Sequence, residues 1–263
     1  MPNHVTNVLT VIGEGYEEVI ESLKGKVEYE NIITKEKTLD DCEFDFNRVI
    51  PKPKSLDCPA GSGGDGAYNL LYGDWKKEVE LWKHWDSLKA DGDNLPMLPG
   101  CLDMAVAATP KKYPATRKAA IKYANKRYSD RYDWELGKTY KGNEQTHGHR
   151  NWYGWCIENW GTKWGAYDIS VDGNAVSFLT AWSMPEPIIR ELSKKFPKCK
   201  FQIEWADEDF GQNCGRIIFE DGIELDVFVP EGGSNEAYEF ALKLRPEMGE
   251  YLEKVGNEYR WKE

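Results

Sequence analysis

A strand pattern followed by a helix pattern stands near the start of the chain. Apolar and β-branched residues recur through His4 to Ile12 (HVTNVLTVI), and such residues favour the extended backbone of a β-strand. Gly13 and Gly15 then break the run. Up to Gly25, apolar residues recur at helical spacing: Tyr16, Val19, Ile20 and Leu23. The stretch predicts a β-strand followed by an α-helix.

The C-terminal half repeats this pattern with a clearer helix start. Ala175 to Trp182 (AVSFLTAW) predicts a strand. Ser183, with Glu186 three residues later, predicts a capping box at the start of a helix. Pro185 suits the first helical turn, where its missing N–H costs nothing. The predicted buried face of this helix consists of Ile188, Ile189, Leu192 and Phe196.

Three further apolar runs predict strands over Phe201 to Ala206, Gly215 to Asp221, and Ile223 to Val229. Helices are expected near Asn235 to Leu244 and Pro246 to Val255. A four-stranded antiparallel sheet with helices on one face is the economical way to join these pieces. We therefore predict an α+β fold, in which a ferredoxin-like split βαβ antiparallel sheet carries a helical insertion.

The middle of the chain predicts helices between connections rich in glycine and proline. Asp45 to Ile50 predicts a short strand, and Pro51 to Gly66 predicts a loop. This loop lacks the Gly-Lys-Ser/Thr ending of a phosphate-binding loop. Asp74 is the predicted N-cap of a helix that extends to about Ala90. Its apolar stripe consists of Trp75, Val79, Trp82, Trp85 and Leu88.

A second connection, Leu95 to Gly100, precedes a helix predicted over Pro114 to Arg131. One side of this helix carries Tyr113, Ala120, Ala124 and Tyr128. Its many basic residues, from Lys111 onwards, are interpreted as a solvated helix face. The predicted organisation has three parts. Residues 1–50 form a βα unit and a strand that contribute to the sheet, residues 51–150 form a mainly helical insertion, and residues 151–263 form the ferredoxin-like domain.

Composition and charge narrow the classes of function. The chain has 45 acidic against 34 basic residues, and its net charge of -11 disfavours a general phosphate-tracking surface. The six cysteines form no CxxC pair, which favours cytosolic free thiols over a zinc site or a disulfide framework. The pattern of a signal peptide is missing at the N-terminus, and no apolar run has the length of a membrane span. A cytoplasmic protein is expected.

Tryptophan is the compositional anomaly, with 11 among 263 residues. Three of them lie in WCIENWGTKWGAYD, where alternation predicts a strand over Trp155 to Trp160 that ends at Gly161. Two interpretations stay open. The rings either seal a junction between the sheet and the helical insertion, or form a recognition surface like an interface hot spot. The candidate binding residues are Trp155, Glu158, Asn159, Trp160, Thr162, Lys163 and Trp164.

Two weaker indications of chemistry surround this segment. His147 and His149 have a His-x-His spacing, which can hold a metal when both side chains share a strand face, with Glu144 and Cys156 within reach in the sequence. Cys156 could also act as a nucleophile activated by one of these histidines. The sequence does not offer a complete set of metal ligands or of catalytic residues for either hypothesis. We therefore assign no catalytic residue, no metal site and no cofactor.

The ends of the predicted strands carry further polar residues. Asp207 to Asp209 lack the alternating ligand spacing of a calcium loop, so a solvated hairpin turn is expected there. Asn3 and His4, which precede the first strand, are expected to reach the same end of the sheet as another loop.

Several blocks of sequence together resemble a known family. They are MPNHVTNVLTVIG, FDFNRVIPKPKSLD, WCIENWGTKWGAYD, FLTAWSMPEPIIRELSKKFP and WADEDFGQNCG. The chain resembles the YubB or Api92-like proteins of phages and plasmids, which carry a domain of unknown function and a C-terminal ferredoxin-like domain. The blocks run in the family's order, and residues 67–150 match least. The resemblance implies a ferredoxin-like fold and a place on mobile elements, in the bacterial cytosol.

The expected function is that of a non-enzymatic accessory protein which binds a host or competing-element protein and can blunt a defence system. The acidic charge suits a basic partner. One alternative is a single-stranded nucleic-acid-binding module, because ferredoxin-like sheets can present rings for stacking. Another is an enzyme acting on a nucleotide or small molecule at the Trp/Glu/Lys segment. No membrane partner is expected, and the oligomeric state stays open.

Overall fold

A computed structural model describes residues 3–30, 36–90, 112–256 and 258–262. The chain divides into two compact units. The first unit combines Met1–Lys52 with Tyr153–Glu263, and the second unit is Pro53–Trp152. The N-terminal segment, which is predicted to contribute to the sheet, thus belongs to one compact unit with the C-terminal part of the chain.

The helices and strands have the following bounds. The strands are β1 (His4–Ile12), β2 (Gly25–Glu30), β3 (Lys37–Cys42), β4 (Tyr167–Asp172), β5 (Ala175–Ala181), β6 (Lys200–Asp207), β7 (Cys214–Glu220), β8 (Ile223–Phe228), β9 (Leu252–Val255) and β10 (Glu258–Trp261). The α-helices are α1 (Tyr16–Leu23), α2 (Ser62–Leu71), α3 (Trp75–Ala90), α4 (Arg117–Arg127), α5 (Trp134–His147), α6 (Trp152–Trp160), α7 (Glu186–Lys195) and α8 (Asn235–Leu244).

The first unit is built on an antiparallel sheet with the strand order β4-β5-β1-β6-β7-β8. β1 lies between β5 and β6 and is antiparallel to both. Because α7 connects β5 to β6, these elements form a split βαβ arrangement. The predicted α+β fold with a ferredoxin-like antiparallel sheet is confirmed. The sheet has six strands instead of four: β8, at one edge, is a strand that the sequence predicts, whereas β4, at the other edge, is not predicted.

One face of this sheet forms the main core of the first unit. Alternate residues of β1 are buried, and Leu9 is paired in register with Val176 on β5 and Ile203 on β6, which are also buried. α7 lies against β6 and β7 and buries three of the four predicted apolar residues: Ile188, Ile189 and Leu192. Such alternation is what a half-covered antiparallel sheet imposes on its strands.

α8 covers part of the opposite face, so the prediction of helices on one face only is wrong. Its residues Ala237 and Phe240 pack with Ala206 of β6 and Cys214 of β7. Ala206 alternates with the core residue Trp205 and therefore points to the other side of the sheet. α8 therefore packs on small side chains of β6 and β7.

Several local predictions in the first unit are also wrong. Asp45 to Ile50 forms a short 3-10 helix, Phe46–Arg48, in which the Asp45 carboxylate accepts a hydrogen bond from the Asn47 N–H at 2.9 Å. The predicted last helix is instead a 3-10 helix, Pro246–Tyr251, followed by β9, which pairs with β10. Cross-strand pairing overrides local helical spacing there.

The capping box predicted at Ser183 does not form. The helix α7 begins at Glu186, and Pro185 takes the N-cap position. The Ser183 hydroxyl donates to the Gly161 carbonyl oxygen at 2.5 Å, and Glu186 pairs with Arg190 one turn later at 2.7 Å. Ser183 therefore bonds to a distant part of the chain and Glu186 bonds within its own helix, so these side chains do not form the predicted capping box.

In the second unit, the glycine-rich stretch is helical where the sequence predicts a loop. Gly64 lies within α2 because this helix packs closely against α5. A Cβ atom at Gly64 would lie 2.7 Å from the Leu136 side chain, and one at Gly137 would lie 2.8 Å from the Ala67 side chain. The glycines therefore serve close helix–helix contact, and this tertiary benefit outweighs their low helix propensity.

An aromatic core holds the rest of the second unit. Trp82 and Val79 are buried as predicted, and the Trp82 indole donates to the Tyr132 hydroxyl at 2.8 Å. That hydroxyl donates in turn to the Glu78 carboxylate at 2.9 Å. The predicted helix after Pro114 is α4, and its Ala120, Ala124 and Tyr128 join this core. Residues 95–100 and the Leu88 side chain lie outside the described residues.

The basic residues of α4 and the turn after it are only partly a solvated face, which corrects the prediction. The Arg127 guanidinium forms a buried ion pair with Asp86 at 2.7 Å, and Arg117 donates to the Gly73 carbonyl at 2.7 Å. Arg131 stacks over Trp85 at 4.0 Å. These arginines hold the helices of the unit together.

Candidate functional site

The first half of the tryptophan-rich segment is a helix, and the prediction of a strand is wrong. α6 buries Trp155, Cys156 and Trp160, and Gly161 ends it in the left-handed region at a φ of 75°. The Asn159 amide donates back to the Trp155 carbonyl oxygen at 2.9 Å. Aromatic residues satisfied both the strand and the helix spacing over this short run, so periodicity alone could not separate them.

Trp155 and Trp160 belong to the core of the first unit. Their rings pack edge to face at 5.6 Å between centroids, and Trp160 packs on Phe46 at 5.7 Å. The Trp160 indole N–H donates to the Ile50 carbonyl oxygen at 2.9 Å. Both side chains are less than one-tenth exposed. They stabilise the fold, and neither presents a ring for a ligand.

Thr162 anchors the loop after α6 to the end of β5. Its buried hydroxyl donates to the Ala181 carbonyl oxygen at 2.6 Å. At Gly161, a Cβ atom would lie 2.7 Å from the Pro187 ring, so the loop also meets the start of α7 closely. Thr162 is therefore a positioning residue for the two residues that follow it.

Lys163 and Trp164 lie at a partly exposed aromatic cluster. The Lys163 ammonium lies 4.8 Å from the ring centres of both Trp164 and Trp182, and 5.7 Å from that of Tyr153. Tyr153 and Trp182 pack edge to face at 6.1 Å. Cation–π attraction holds the ammonium among the rings. We call Tyr153, Ile157, Lys163, Trp164 and Trp182 the aromatic surface.

Three members of the aromatic surface were not predicted as site residues. Tyr153, Ile157 and Trp182 are 38%, 40% and 39% exposed. Tyr153 and Ile157 share one face of α6 because they are four residues apart, a relation that is visible only once the segment is helical. Trp182 follows the end of β5 directly, so the sequence assigned it to a strand. Glu158, a predicted site residue, is exposed on α6.

The backbone of Trp182 is unusual for a bulky residue. Its φ is 77°, in the left-handed region that costs a non-glycine residue roughly 1–2 kcal/mol. Hydrogen bonds fix this conformation: its N–H donates to the Asn3 carbonyl oxygen at 2.9 Å, and the Thr180 hydroxyl donates to the Ser183 carbonyl oxygen at 2.8 Å. The fold thus holds a strained residue with its ring at the surface.

Polar residues gather at the same end of the sheet. The Asn3 amide donates to the Asp207 carboxylate at 3.2 Å, and the Glu208 N–H donates to the His4 carbonyl oxygen at 2.9 Å. The prediction that Asn3 and His4 reach this end is confirmed. The His4 ring and the Tyr167 hydroxyl share a hydrogen bond of 2.5 Å. Burial, and then the charges of Asp168 and Glu208, raise the pKa of Tyr167, so its hydroxyl stays protonated at neutral pH.

Asp207 is not part of a solvated turn, which corrects that prediction. Its carboxylate is buried and accepts hydrogen bonds from the Asp209 N–H at 2.9 Å and the Asn213 amide at 3.0 Å. Together with the bond from Asn3, these contacts fix the turn between β6 and β7. Glu208 and Asp209 are exposed.

The two histidines of the second unit do not share a strand face. His147 ends α5, Gly148 follows in the left-handed region, and His149 comes after this reversal. The His147 ring and the Ser55 hydroxyl share a hydrogen bond of 2.9 Å. The Tyr68 hydroxyl donates to the Glu144 carboxylate and holds the pKa of that carboxyl below its usual range. The geometry assumed for a His-x-His metal site is therefore wrong.

Two negative observations apply to the described part of the chain. Over residues 3–30, 36–90, 112–256 and 258–262, the structure brings no three His, Cys, Asp or Glu side chains together in a way that could hold a metal ion. In the same ranges, no helix combines the length and apolar character needed to cross a membrane.

The less covered face of the sheet carries few groups that could stack on a base. Thr6 and Val8 on β1, and Gln202 and Glu204 on β6, point to this face and are partly exposed. They alternate with the buried core residues of the same strands. Their side chains are aliphatic, hydroxyl, amide or carboxylate groups, so these four positions present no ring for stacking.

The family comparison covers the end of α6 through to the residue after α8. Residues 159–245 match the family model described as the ferredoxin-like domain in Api92-like protein. These residues are an Api92-like ferredoxin-like domain. The resemblance seen in the sequence is confirmed over this domain, which contains Lys163, Trp164 and Trp182 of the aromatic surface.

Two further comparisons accompany the Api92-like assignment. A crystal structure of a protein api92 from Yersinia pseudotuberculosis is 10% identical in sequence, with a TM-score of 0.35, and the alignment covers 88% of this chain and 99% of that chain. No curated protein matches the chain.

Proposed function

We propose that this chain is a non-enzymatic binding protein of a mobile element and that it contacts a host or competing-element protein through the aromatic surface. The observation that carries the proposal is the convergence of Tyr153, Trp164 and Trp182 on the Lys163 ammonium at a partly exposed site. The wider proposal, that this contact serves the element in the bacterial cytosol, for instance against a defence system, rests on the Api92-like resemblance.

The composition of the aromatic surface supports a contact between proteins. Trp and Tyr dominate the binding energy of many interfaces because they bury large areas at little conformational cost. Tyr153, Ile157 and Trp182 are each about two-fifths exposed, and Ile157 continues the apolar area along α6. A strained backbone held at the surface, as at Trp182, is a common property of functional sites.

The charge of the chain supports a basic partner. With a net charge of -11, long-range electrostatics speed association with a positively charged protein and slow it with an acidic one. The aromatic surface would then supply the short-range contact, and the acidic chain around it would supply steering. This division predicts that salt reduces the association rate more than it increases the dissociation rate.

A quantitative pull-down from host lysate tests the proposal. Wild type is compared with Trp182→Ala and with Trp261→Ala, a matched change at a tryptophan that is 49% exposed on β10. We expect a protein that wild type and Trp261→Ala recover equally and that Trp182→Ala loses. If wild type recovers no specific protein, or Trp182→Ala recovers it equally well, the proposal is wrong.

A second candidate function is binding of single-stranded nucleic acid. Lys163 beside partly exposed rings favours it, since rings can stack on bases and an ammonium can contact phosphate. The net charge of -11 opposes it. Titration with single-stranded RNA and DNA at low and high salt tests this function. If the chain binds nucleic acid, the binding constant should fall as the salt concentration rises. Absence of binding at low salt would exclude this function.

A further inference from the structure

The Lys163 ammonium has aromatic partners and no acidic partner. It lies 4.8 Å from the ring centres of Trp164 and Trp182 and 5.7 Å from that of Tyr153. Within the described residues, no carboxylate lies at ion-pair distance from it. A half-buried ammonium loses part of its hydration, and here the ring faces compensate by cation–π attraction. The three rings therefore act together as a binding site for a cation.

These rings have the geometry of a cage, and we call Tyr153, Trp164 and Trp182 the aromatic cage. The planes of Tyr153 and Trp182 are perpendicular, with 6.1 Å between their centres. The two side chains are 38% and 39% exposed, so solvent reaches both walls. Rings arranged around one point are a common way in which proteins bind organic cations. A cation from another molecule can therefore reach the position that Lys163 occupies.

The fold holds the aromatic cage in place independently of Lys163. The loop before Trp164 is anchored by the hydrogen bond from the Thr162 hydroxyl to the Ala181 carbonyl oxygen. The Trp182 backbone is fixed by the hydrogen bond from its N–H to the Asn3 carbonyl oxygen. Lys163 reaches the rings on a flexible four-carbon stem. Its ammonium can therefore leave the cage without a movement of the backbone.

Lys163 is a weak occupant of the aromatic cage. In the second unit, the Arg131 guanidinium lies 4.0 Å from the centre of the Trp85 ring, and the Arg150 guanidinium lies 3.7 Å from that of Tyr68. Lys163 approaches no ring of the cage closer than 4.8 Å. A guanidinium is planar and more weakly hydrated than an ammonium, so it stacks on ring faces with a smaller loss of hydration. An arginine side chain therefore matches the cage better than Lys163 does.

We propose that the aromatic cage binds an arginine side chain of the partner and that Lys163 occupies the cage in the free chain. The inference rests on the proposed function, because it names the group of the partner that enters the aromatic surface. When the arginine enters, the Lys163 ammonium moves into solvent, and its hydration replaces the contacts with the rings.

Charge at this end of the sheet supports a cationic ligand. Asp168, Glu208 and Asp209 are exposed, and within the described residues none of them forms an ion pair. They lie at the end of the sheet where His4 contacts Tyr167 and accepts a hydrogen bond from the Glu208 N–H. Trp182 follows Ala181, which is paired in register with His4. These carboxylates attract an incoming guanidinium towards the aromatic cage.

An NMR titration with short peptides tests the aromatic cage. The first peptide has a single arginine between glycine and serine residues, and its matched controls carry lysine or citrulline, a neutral side chain of nearly the same shape, at that position. The indole N–H signals of Trp164 and Trp182, assigned by their loss in alanine variants, report binding. We expect the arginine peptide to shift both signals, with dissociation constants at least about fivefold higher for the two controls. Equal binding of either control, or no binding of the arginine peptide, overturns the proposal.

Removal of the Lys163 ammonium tests its role as the occupant. Lys163→Gln empties the aromatic cage, so it should lower the dissociation constant of the arginine peptide by about twofold to fivefold. Lys198→Gln removes the same charge in the turn before β6, at the opposite end of the sheet from Trp182, and should leave the constant unchanged. Equal effects of the two variants, or a higher constant for Lys163→Gln, overturn the proposal.

The titration separates this inference from the proposed function because it needs no purified partner. If the peptides fail to bind as expected while recovery of a partner still depends on Trp182, the inference is wrong and the proposed function stands. If the arginine peptide binds as expected but the pull-down recovers no specific protein, the proposed function is wrong. The assignment of the arginine to a partner is then wrong as well.

Discussion

Two tryptophans have opposite roles at the scale of single residues. Trp160 is buried, and its indole is hydrogen-bonded to the Ile50 carbonyl oxygen. Trp182 is 39% exposed on a left-handed backbone, with its ring near Lys163. Tryptophan-rich composition therefore does not mark a binding site by itself. Burial and backbone conformation separate the two roles.

This difference predicts opposite outcomes for substitution. Trp160→Ala should lower the free energy of unfolding by about 3–5 kcal/mol, since it leaves a cavity in the core. Trp182→Gly should change it by no more than about 1.5 kcal/mol, because relief of the left-handed backbone offsets the lost ring contacts. Chemical denaturation measures both values. If Trp182→Gly lowers the free energy of unfolding more than Trp160→Ala does, the ring of Trp182 has the larger structural role and this prediction is wrong.

Tyrosines in the aromatic core of the second unit give a prediction on pH. Burial raises the pKa of Tyr128 from 10.0 to about 12, and it also raises the pKa of Tyr113 and Tyr132. A raised pKa in the folded state gives a stabilising contribution that is complete below the unfolded value. It is lost as pH rises from 10 towards 12. Tyrosinate absorbance should therefore rise at a higher pH than it does for exposed tyrosines, together with unfolding of the second unit.

Tyr128→Phe isolates one of these groups. The Tyr128 hydroxyl is buried, and among the described residues it has no hydrogen-bond partner. Its removal should leave stability at neutral pH unchanged or increase it by up to about 1 kcal/mol, and it should make the alkaline loss of stability less steep. If Tyr128→Phe unfolds over the same alkaline range with the same steepness as wild type, burial of this hydroxyl does not contribute to the pH dependence.

At the scale of elements, the contact between α2 and α5 depends on glycine. Gly137 lies where a Cβ atom would come within 2.9 Å of the Tyr68 backbone nitrogen. Gly142 is on the same helix, and a Cβ atom there would meet nothing within 4 Å among the described residues. The two glycines therefore have different reasons to be in α5.

Alanine substitutions at these two positions form a matched pair. Gly137→Ala should destabilise the protein by about 1–3 kcal/mol, because the two helices must separate to admit a methyl group. Gly142→Ala should stabilise it by about 0.5–1 kcal/mol through helix propensity. Thermal and chemical denaturation report the difference. Equal effects of the two changes would contradict the close contact of α2 with α5.

Elements were predictable where burial of one face dominates the local sequence. Alternation predicted β1 and β5, and helical spacing predicted α7, since each of these elements buries a single face in one core. The prediction for α6 was wrong because its aromatic residues fit both the strand period and the helix period. The prediction of a loop at the start of α2 was wrong because the glycines there allow a close contact with α5, and the local sequence does not show this contact. The charged strand β3 shows no apolar alternation to detect.

The candidate site was predictable only in part for a similar reason. Lys163 and Trp164 were named from composition, and they do belong to the aromatic surface. Tyr153 and Trp182 meet them only through the tertiary fold, because α6 and the end of β5 are brought together by the Thr162–Ala181 hydrogen bond. The other named residues have positions in or next to the core, apart from the exposed Glu158.

For the whole molecule, the aromatic surface belongs to the first unit, whose residues 159–245 match the Api92-like ferredoxin-like domain. The net charge of -11 favours a basic partner for this surface. Long-range attraction would speed the encounter, and the rings would supply the short-range contact.

The most direct test of the account is the affinity of a purified partner, recovered with wild type, for Trp182→Ala measured by titration calorimetry. We expect a dissociation constant at least about tenfold higher than that of wild type, which corresponds to about 1.4 kcal/mol. We expect an unchanged dissociation constant for Trp261→Ala. An unchanged dissociation constant for a folded Trp182→Ala variant would contradict the central claim that the aromatic surface is the binding site.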